Sequence, residues 1–328
     1  MQNLRRLVSV AGSCLAAALL AACNGGPSGQ SMAVPPGTAP AGMTNLATTV
    51  NHSPPHPIFV ADNGGKLVKE IPRGCLDATC VVTVGKGYSC PTTVSLDKSL
   101  DLYVSNTCDY GTAIYKMTPG CGNESCASIV PGDYLNPWGT ASDKQGNLYV
   151  ADYSHGYVKK VPAGCGGNAC VVTLGGKAFV GPGYYPWDYG PSDVTLDKHR
   201  NVYVSSDYYV SEMPHNCRSS SCVTRLGGGW GQPNSVSLDR HNNIYIADDA
   251  NKSVKEMQPS CRSASCVSTI LGGFNDPWSA KADAQGNVYV SDTGASTVSM
   301  IPTGCRSWSC VVTIGGGFSQ PLGLAVGP

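Results

Sequence analysis

Charge is scarce in this chain and neither sign prevails: 22 Lys and Arg stand against 22 Asp and Glu in 328 residues. No stretch gathers the basic residues into a stripe, so the electrostatic footprint of a nucleic-acid binder is missing. No long segment repeats its apolar residues at the 3.6 spacing of a helix, which leaves strands as the main building element. The G-x-S-x-G nucleophile motif is absent, and histidine is rare, with six in all. No apolar run reaches the roughly 20 residues that cross a bilayer. What the chain does have in quantity is Gly (40), Pro (23), Tyr (16) and Cys (16).

The N-terminus reads as an export signal. Arg5 and Arg6 precede an apolar run from Leu7 to Ala22, too short for a membrane span and right for a secretory signal. The run closes on Leu20-Ala21-Ala22-Cys23, which resembles the bacterial lipoprotein lipobox, where cleavage falls before the Cys and its thiol is acylated. Residues 1–22 are thus expected to be removed and Cys23 to carry lipid. Asn24 follows Cys23 where an Asp would signal inner-membrane retention, so the resemblance implies the outer membrane of a Gram-negative bacterium. Residues 23–57 are rich in Pro, Gly, Ser, Ala and Thr and nearly uncharged, the composition of a flexible tether. His52 and His56 fall in it. Loss of Arg5 and Arg6 leaves 20 basic against 22 acidic residues, a formal charge of −2.

Residues 58–328 repeat. An aromatic and β-branched anchor recurs at Phe59-Val60, Tyr103-Val104, Tyr149-Val150, Tyr203-Val204, Tyr245-Ile246 and Tyr289-Val290, with steps of 44, 46, 54, 42 and 44 residues. A Cys-x₄-Cys pair follows each copy, and a proline (Pro91, Pro137, Pro191, Pro233, Pro277, Pro321) stands six residues before each D-x-x-x-[ND] turn or its terminal equivalent. Each unit reads as four short strands, A to D, joined by a tight turn, a loop and the Cys hairpin. A period near 44 with four strands fits a propeller blade. The chain enters on a strand B at Ile58 and leaves on a strand A at Pro321–Val326. The predicted fold is therefore all-β: a six-bladed β-propeller of four-stranded blades, closed by the C-terminal strand A pairing with the N-terminal strand B. Closure also removes exposed sheet edges.

The pattern P-x-x-[VAL]-x-x-D-x-x-[GN]-N-[LVI]-Y-[VI]-[AS]-D followed by V-K-x-[VM]-P resembles the NHL repeat across residues 58–328. That resemblance implies the propeller fold and says little of activity, since the family includes binding and sensor modules and related propellers include lyases and hydrolases.

Cysteine bookkeeping supports an oxidising compartment. With Cys14 in the signal and Cys23 lipidated, fourteen remain. Zinc is a weak reading, because each Cys-x₄-Cys offers two ligands on a separate blade. Disulfides are expected at Cys75–Cys80, Cys121–Cys126, Cys165–Cys170, Cys217–Cys222, Cys261–Cys266 and Cys305–Cys310. Cys90 lies in a D–A loop and Cys108 in a B–C loop of one blade. Both loop types open on one face, here called the top, so the topology joins Cys90 to Cys108.

The top face also collects aromatics. Tyr88, Trp230, Phe274 and Phe318 recur after glycine runs and read as wedges between blades. Trp138 and Trp278 follow the strand A proline, where other blades carry Thr92, Ser192, Asn234 and Leu322, and should ring the channel mouth. The long step comes from an insertion at 177–190 holding Tyr184, Tyr185, Trp187 and Tyr189, which either binds a ligand or plugs the channel. Asp193 and Lys281 are the charges expected along the channel, where they contact a ligand, pair with each other or stay hydrated.

Related propeller enzymes hold a metal in the channel with His or carboxylates from several inner strands. Here strand A carries no His and only Asp193. His199 and His241 sit in A–B turns, His215 precedes a hairpin Cys, and only His155 could reach the top. One His cannot make a convergent metal set, so no metal and no cofactor are expected. The recurring Asp62, Asp152, Asp248 and Asp292 read as loop caps. The sequence favours a non-catalytic envelope module that presents its aromatic top face to a glycan, peptide or protein, tied to the membrane by lipid and not bound to nucleic acid. The alternatives are a lyase or hydrolase at the channel mouth using His155, tyrosines and Asp193 or Asp188, and a purely structural envelope protein.

Overall fold

The computed structural model describes residues 53–108, 111–179 and 190–328. Cys23 and most of the expected tether lie outside them, as do Tyr184, Tyr185, Trp187, Asp188 and Tyr189. The described chain forms six sheets of four antiparallel strands, and the inner strands A contact one another in a closed ring: Pro91–Leu96, Pro137–Ser142, Pro191–Leu196, Pro233–Leu238, Pro277–Ala282 and Pro321–Val326. The last of these pairs with Ile58–Asp62, Ile58 opposite Val326, and so completes blade 1. Blades 2 to 6 follow in chain order. The only helices among the described residues are short 3₁₀ turns.

Each strand's composition follows from its place in the blade. Strand B lies in the middle of a sheet whose two faces both pack against neighbouring blades. It is buried along its whole length in blades 3 to 6, as at Leu148–Asp152 and Val288–Asp292. This replaces the alternation of a one-faced sheet with a continuous run of Tyr, Val, Ile and small residues. Where the wedge is tight the side chain is small: Ser105, Ala151, Ser205, Ala247 and Ser291 are fully buried.

The A–B turns are built by their aspartates. Asp143 Oδ1 accepts from the N–H groups of Gln145 and Asn147, and Asp197, Asp239 and Asp283 repeat the arrangement. The fourth turn residue has positive φ in every case, 82° at Gly146 and 64° at Asn242, where Gly and Asn adopt it most readily, and also 68° at Arg200 and 63° at Leu100.

Strand A has a free edge toward the channel, and side chains of the preceding blade occupy it. Ser235 Oγ accepts from Ala280 N–H at 2.7 Å and Ser279 Oγ from Leu324 N–H at 3.3 Å. Asp193 plays the same part toward Val236 N–H at 3.0 Å. Thr93 donates to the Trp138 carbonyl. Blade 3 instead has Gly139, because strands approach too closely for a side chain: a Cβ there would stand 2.3 Å from Asp193 Oδ1 and 2.5 Å from its Cα.

All seven expected disulfides join, with Cα separations of 5.5 Å for Cys90–Cys108 and about 5.6–5.9 Å for the six repeated pairs, inside the usual range. The repeated hairpins do more than close themselves. Each reaches the glycine run of the preceding blade: Gly175 N–H donates to Cys217 O at 2.9 Å, Gly227 N–H to Cys261 O at 3.0 Å, and Trp308 Nε1 to Gly272 O at 2.9 Å. The hairpins are therefore clasps between blades at the rim as well as staples of one face.

Candidate functional site

The top face is organised by the aspartates that end strand B. Asp248 Oδ1 accepts from Gly231 and Gln232 N–H, Asp292 from Asn275 and Asp276 N–H, Asp152 from Leu135 N–H and Asp62 from Ser319 N–H. In blades 1, 3 and 5 a strand C lysine completes a buried ion pair: Lys69–Asp62 at 2.6 Å, Lys159–Asp152 at 2.7 Å and Lys255–Asp248 at 2.6 Å. The aromatic after the glycine run covers the same lysine, Phe318 on Lys69, Tyr134 on Lys159 and Trp230 on Lys255, each about 5.3–5.4 Å from the ring centre. Tyr88, Trp230, Phe274 and Phe318 all pack into the cores between blades. His155 belongs to this latch and not to the channel: its Nδ1 lies 2.7 Å from Asp152 Oδ2.

The channel mouth is different. Trp138 is on blade 3 and Trp278 on blade 6, at opposite sides of the ring. Their rings meet across the axis at 5.3 Å between centres. Tyr153 stacks on Trp138 at 4.1 Å and 12°, and Trp138 Nε1 donates to Asn136 Oδ1 at 3.1 Å. All three rings are half-buried. They form an aromatic bridge over the channel with one side open to solvent.

Tyr153 carries the bridge outward to a carboxyl. Its hydroxyl donates to Asp207 Oδ2 at 2.9 Å. Burial pushes the Asp207 carboxyl up to about 6, against the opposing pull of Tyr153 and the Gly190 N–H. Gly190 packs so closely on Tyr153 that a Cβ would stand 1.8 Å from the Tyr153 carbonyl oxygen. Asp276, two residues before Trp278, is likewise pushed up to about 6 by burial and by the neighbouring Asp249 carboxylate.

Beneath the aromatic bridge lies a small polar cavity of about 10 Å³, lined by Thr93, Thr140, Ser192, Asp193, Asn234 and Ser279 among others. That is room for one water. Asn234, 3 % exposed, has no protein partner for either amide atom. Its floor is the Lys281–Asp193 ion pair, which links blades 6 and 4. Asp193 also accepts from Val194 N–H at 2.9 Å and Val236 N–H at 3.0 Å, so of the alternatives open to these two charges the structure has them pair with each other. Below them a second chamber of about 210 Å³ is lined by Ser95, Ala141, Thr195, Lys281 and Ala325. The ion pair and the aromatic bridge together divide the top of the channel from the lower chamber.

Of the expected site residues, Trp138, Trp278, Asp193 and Lys281 converge on the channel. His155 stands in the blade 3 latch, and Tyr184, Tyr185, Trp187 and Tyr189 lie outside the described residues. Asp207 was missed in the sequence, where Tyr153 was one top-face aromatic among many and Asn234 only a counterpart of Trp138 and Trp278. One signal did exist for Asp207. The 42-residue step arises because the blade 4 B–C loop is two residues long, Ser206 pairing with Tyr209, where blade 5 pairs Asp248 with Ser253. Among the described residues no group of three or more His, Cys, Asp or Glu is placed to hold a metal ion.

No protein-family model matches the chain, and no curated protein sequence matches it. Its fold is shared by solved structures of low identity. A streptogramin B lyase is 9 % identical with a TM-score of 0.55, covering 83 % of this chain and 87 % of that one. A protein of unknown function from Bacteroides caccae is 13 % identical at 0.59, covering 83 % and 98 %. A luciferin-regenerating enzyme is 12 % identical at 0.53, covering 72 % and 79 %. At these identities the likeness establishes the propeller fold alone.

Proposed function

We propose that this propeller is a non-catalytic binding module of the cell envelope, exported and anchored through an acylated Cys23, which presents the Trp138–Tyr153–Trp278 bridge to a glycan, peptide or protein. The NHL-like repeat supplies the scaffold. One observation carries the reading: three aromatic rings from blades 3 and 6 meet at the channel mouth, half-exposed, in a place where the other four inner strands carry Thr92, Ser192, Asn234 or Leu322. Flat rings beside polar groups suit the apolar faces of sugars and peptide side chains. The seven disulfides fit an exported protein.

The test is a screen of the mature chain on glycan, peptidoglycan-fragment and peptide arrays, followed by titration of each hit with Trp138→Ala and Trp278→Ala. Loss of one stacking ring is expected to weaken binding by about 10-fold or more. Uniform silence on all arrays, or hits indifferent to both substitutions, refutes the reading.

A second reading rests on Asp207. A carboxyl titrating near 6 and hydrogen-bonded to Tyr153 has the pKa of a general acid or base. On that reading the same bound ligand would be turned over with a rate that falls on Asp207→Asn while binding persists. Binding without turnover keeps the module non-catalytic.

A further inference from the structure

The face opposite the aromatic bridge has a composition of its own. We propose that the face carrying the A–B turns docks on an anionic phospholipid bilayer through four turn-tip cations, Lys98, Lys144, Lys198 and Arg240. Each stands two residues beyond the end of its strand A, in blades 2, 3, 4 and 5, so the ring closure brings all four to the lower mouth of the channel. All four are exposed. Lys98 Nζ reaches the Lys144 carbonyl at 2.9 Å, which places neighbouring tips side by side.

The aspartate beneath each cation does not cancel it outward. Asp143 and Asp239 are buried, and all four aspartates accept backbone N–H groups of their own turns. The turn therefore shows its positive end to solvent. Further out, Arg262 and Arg306 are matched by Glu212 and Glu256. Near the blade 3 and blade 4 turns, His215 is held below its ordinary value, first by burial and then by the positive charges of Arg200 and Lys160, with Asp143 pulling the other way.

The point where the chain enters selects the partner. Gly74 N–H, in the blade 1 hairpin, donates to Pro54 O at 2.9 Å, and Gly327 N–H donates to Pro57 O at 2.8 Å. His56 Nε2 lies 3.3 Å from Gln285 Oε1, in the blade 6 A–B turn. Residues 53–57 thus run along the same lower face. A tether of about 30 residues has a root-mean-square reach on the order of 30 Å. It keeps this face within a few Debye lengths of the membrane that holds the lipid. Anionic headgroups attract each nearby Lys or Arg enough to shift partition about fivefold, and a basic patch is the kind of second signal that makes a lipid anchor firm. Docked this way, the aromatic bridge points away from the bilayer toward its ligand. This orientation rests on the acylation of Cys23 proposed above; the lipid-binding surface itself does not.

The experiment separates the two. The mature chain, unacylated through Cys23→Ser, is sedimented with vesicles of phosphatidylcholine alone and with vesicles holding about one third phosphatidylglycerol. Partition is expected to be at least 10-fold higher on the anionic vesicles and to vanish at about 0.5 M salt. The quadruple variant Lys98→Gln, Lys144→Gln, Lys198→Gln, Arg240→Gln loses it. A variant with Lys66→Gln, Lys177→Gln and Lys252→Gln, whose charges lie on other parts of the surface, retains it. Circular dichroism melting on both variants confirms the fold. Equal partition on the two vesicle types, or equal loss in the two variants, overturns the proposal. Top-face ligand binding measured on the quadruple variant stays intact, so failure here is not failure of the binding reading.

Discussion

The Asp193–Lys281 pair invites a double-mutant cycle, because the other blades show what the position looks like without it. Ser235 and Ser279 replace Asp193 in blades 5 and 6, and Ala141 and Ala325 replace Lys281 in blades 3 and 1. Lys281→Ala strands the Asp193 carboxylate, which is 4 % exposed. Breaking a buried pair costs about 3–5 kcal/mol. Two N–H donors, from Val194 and Val236, stay with the carboxylate and return part of that, leaving about 2–4 kcal/mol. Asp193→Ser is milder. A serine can still accept from Val236 N–H as its counterparts do, and the freed ammonium borders the lower chamber of about 210 Å³, where water reaches it. About 1–2 kcal/mol is expected. The double variant restores the arrangement of the other blades and should cost no more than about 1 kcal/mol, so the coupling is at least about 2–5 kcal/mol. Equilibrium unfolding in urea without reductant measures all four corners, with an unchanged m-value as the control. Costs that add to within about 0.5 kcal/mol, or a Lys281→Ala variant as stable as the parent, would refute the view of this pair as a buried, mutually dependent floor of the channel.

Three further outcomes follow from the same geometry. Gly139→Ala forces a Cβ to within 2.3 Å of Asp193 Oδ1 and should destabilise by about 1–3 kcal/mol, read as a drop in melting temperature, whereas Gly166→Ala, with nothing within 4 Å of its Cβ, should be near neutral. Asp207 has a folded pKa of about 6 against an ordinary 3.8; the folded state binds the proton more tightly, so this group's contribution is fully present below pH 4 and is lost as pH rises through 6. Asp207→Asn should therefore gain up to about 2 kcal/mol relative to the parent at pH 7 but not at pH 4, and a parallel pair of stability–pH curves would refute the shift. Replacing Cys90 and Cys108 by Ser opens a loop of separation 18 and should cost about 3 kcal/mol, against about 2 kcal/mol for opening any one of the six hairpins of separation 5; reversal of that order in urea unfolding would count against the loop-entropy account.

Much of this protein is legible in one dimension because a propeller is a local pattern repeated. Strand order, the aspartate-built turns and the Cys hairpins are each set within about 44 residues, so six copies of one signal outweigh any single ambiguity. The irregular steps are legible too: 42 corresponds to a B–C loop two residues shorter than the four between Asp248 and Ser253, and 46 to six residues between the matching pair Asn106 and Ala113, four of which extend the strand pairing to Cys108 and Gly111. The aromatic residues are less legible in one dimension. Phe318 and Trp138 are both aromatic residues of top loops, and only packing distinguishes a ring laid over Lys69 from one held at the channel mouth.

Blade number, ring closure and disulfide pairing were thus determined by the sequence itself, since each depends on residues near one another in the chain or on where the repeat begins and ends. The site was decided by tertiary structure. Trp138 and Trp278 are 140 residues apart and Asp193 and Lys281 are 88 apart; they meet because a closed six-fold ring sets blade 3 opposite blade 6 and gathers every inner strand about one axis. The raised pKa of Asp207, the unpartnered amide of Asn234 and the shared lower face of four separate turn cations come from the same cause. Burial and convergence are properties of the ring, and no single repeat contains them.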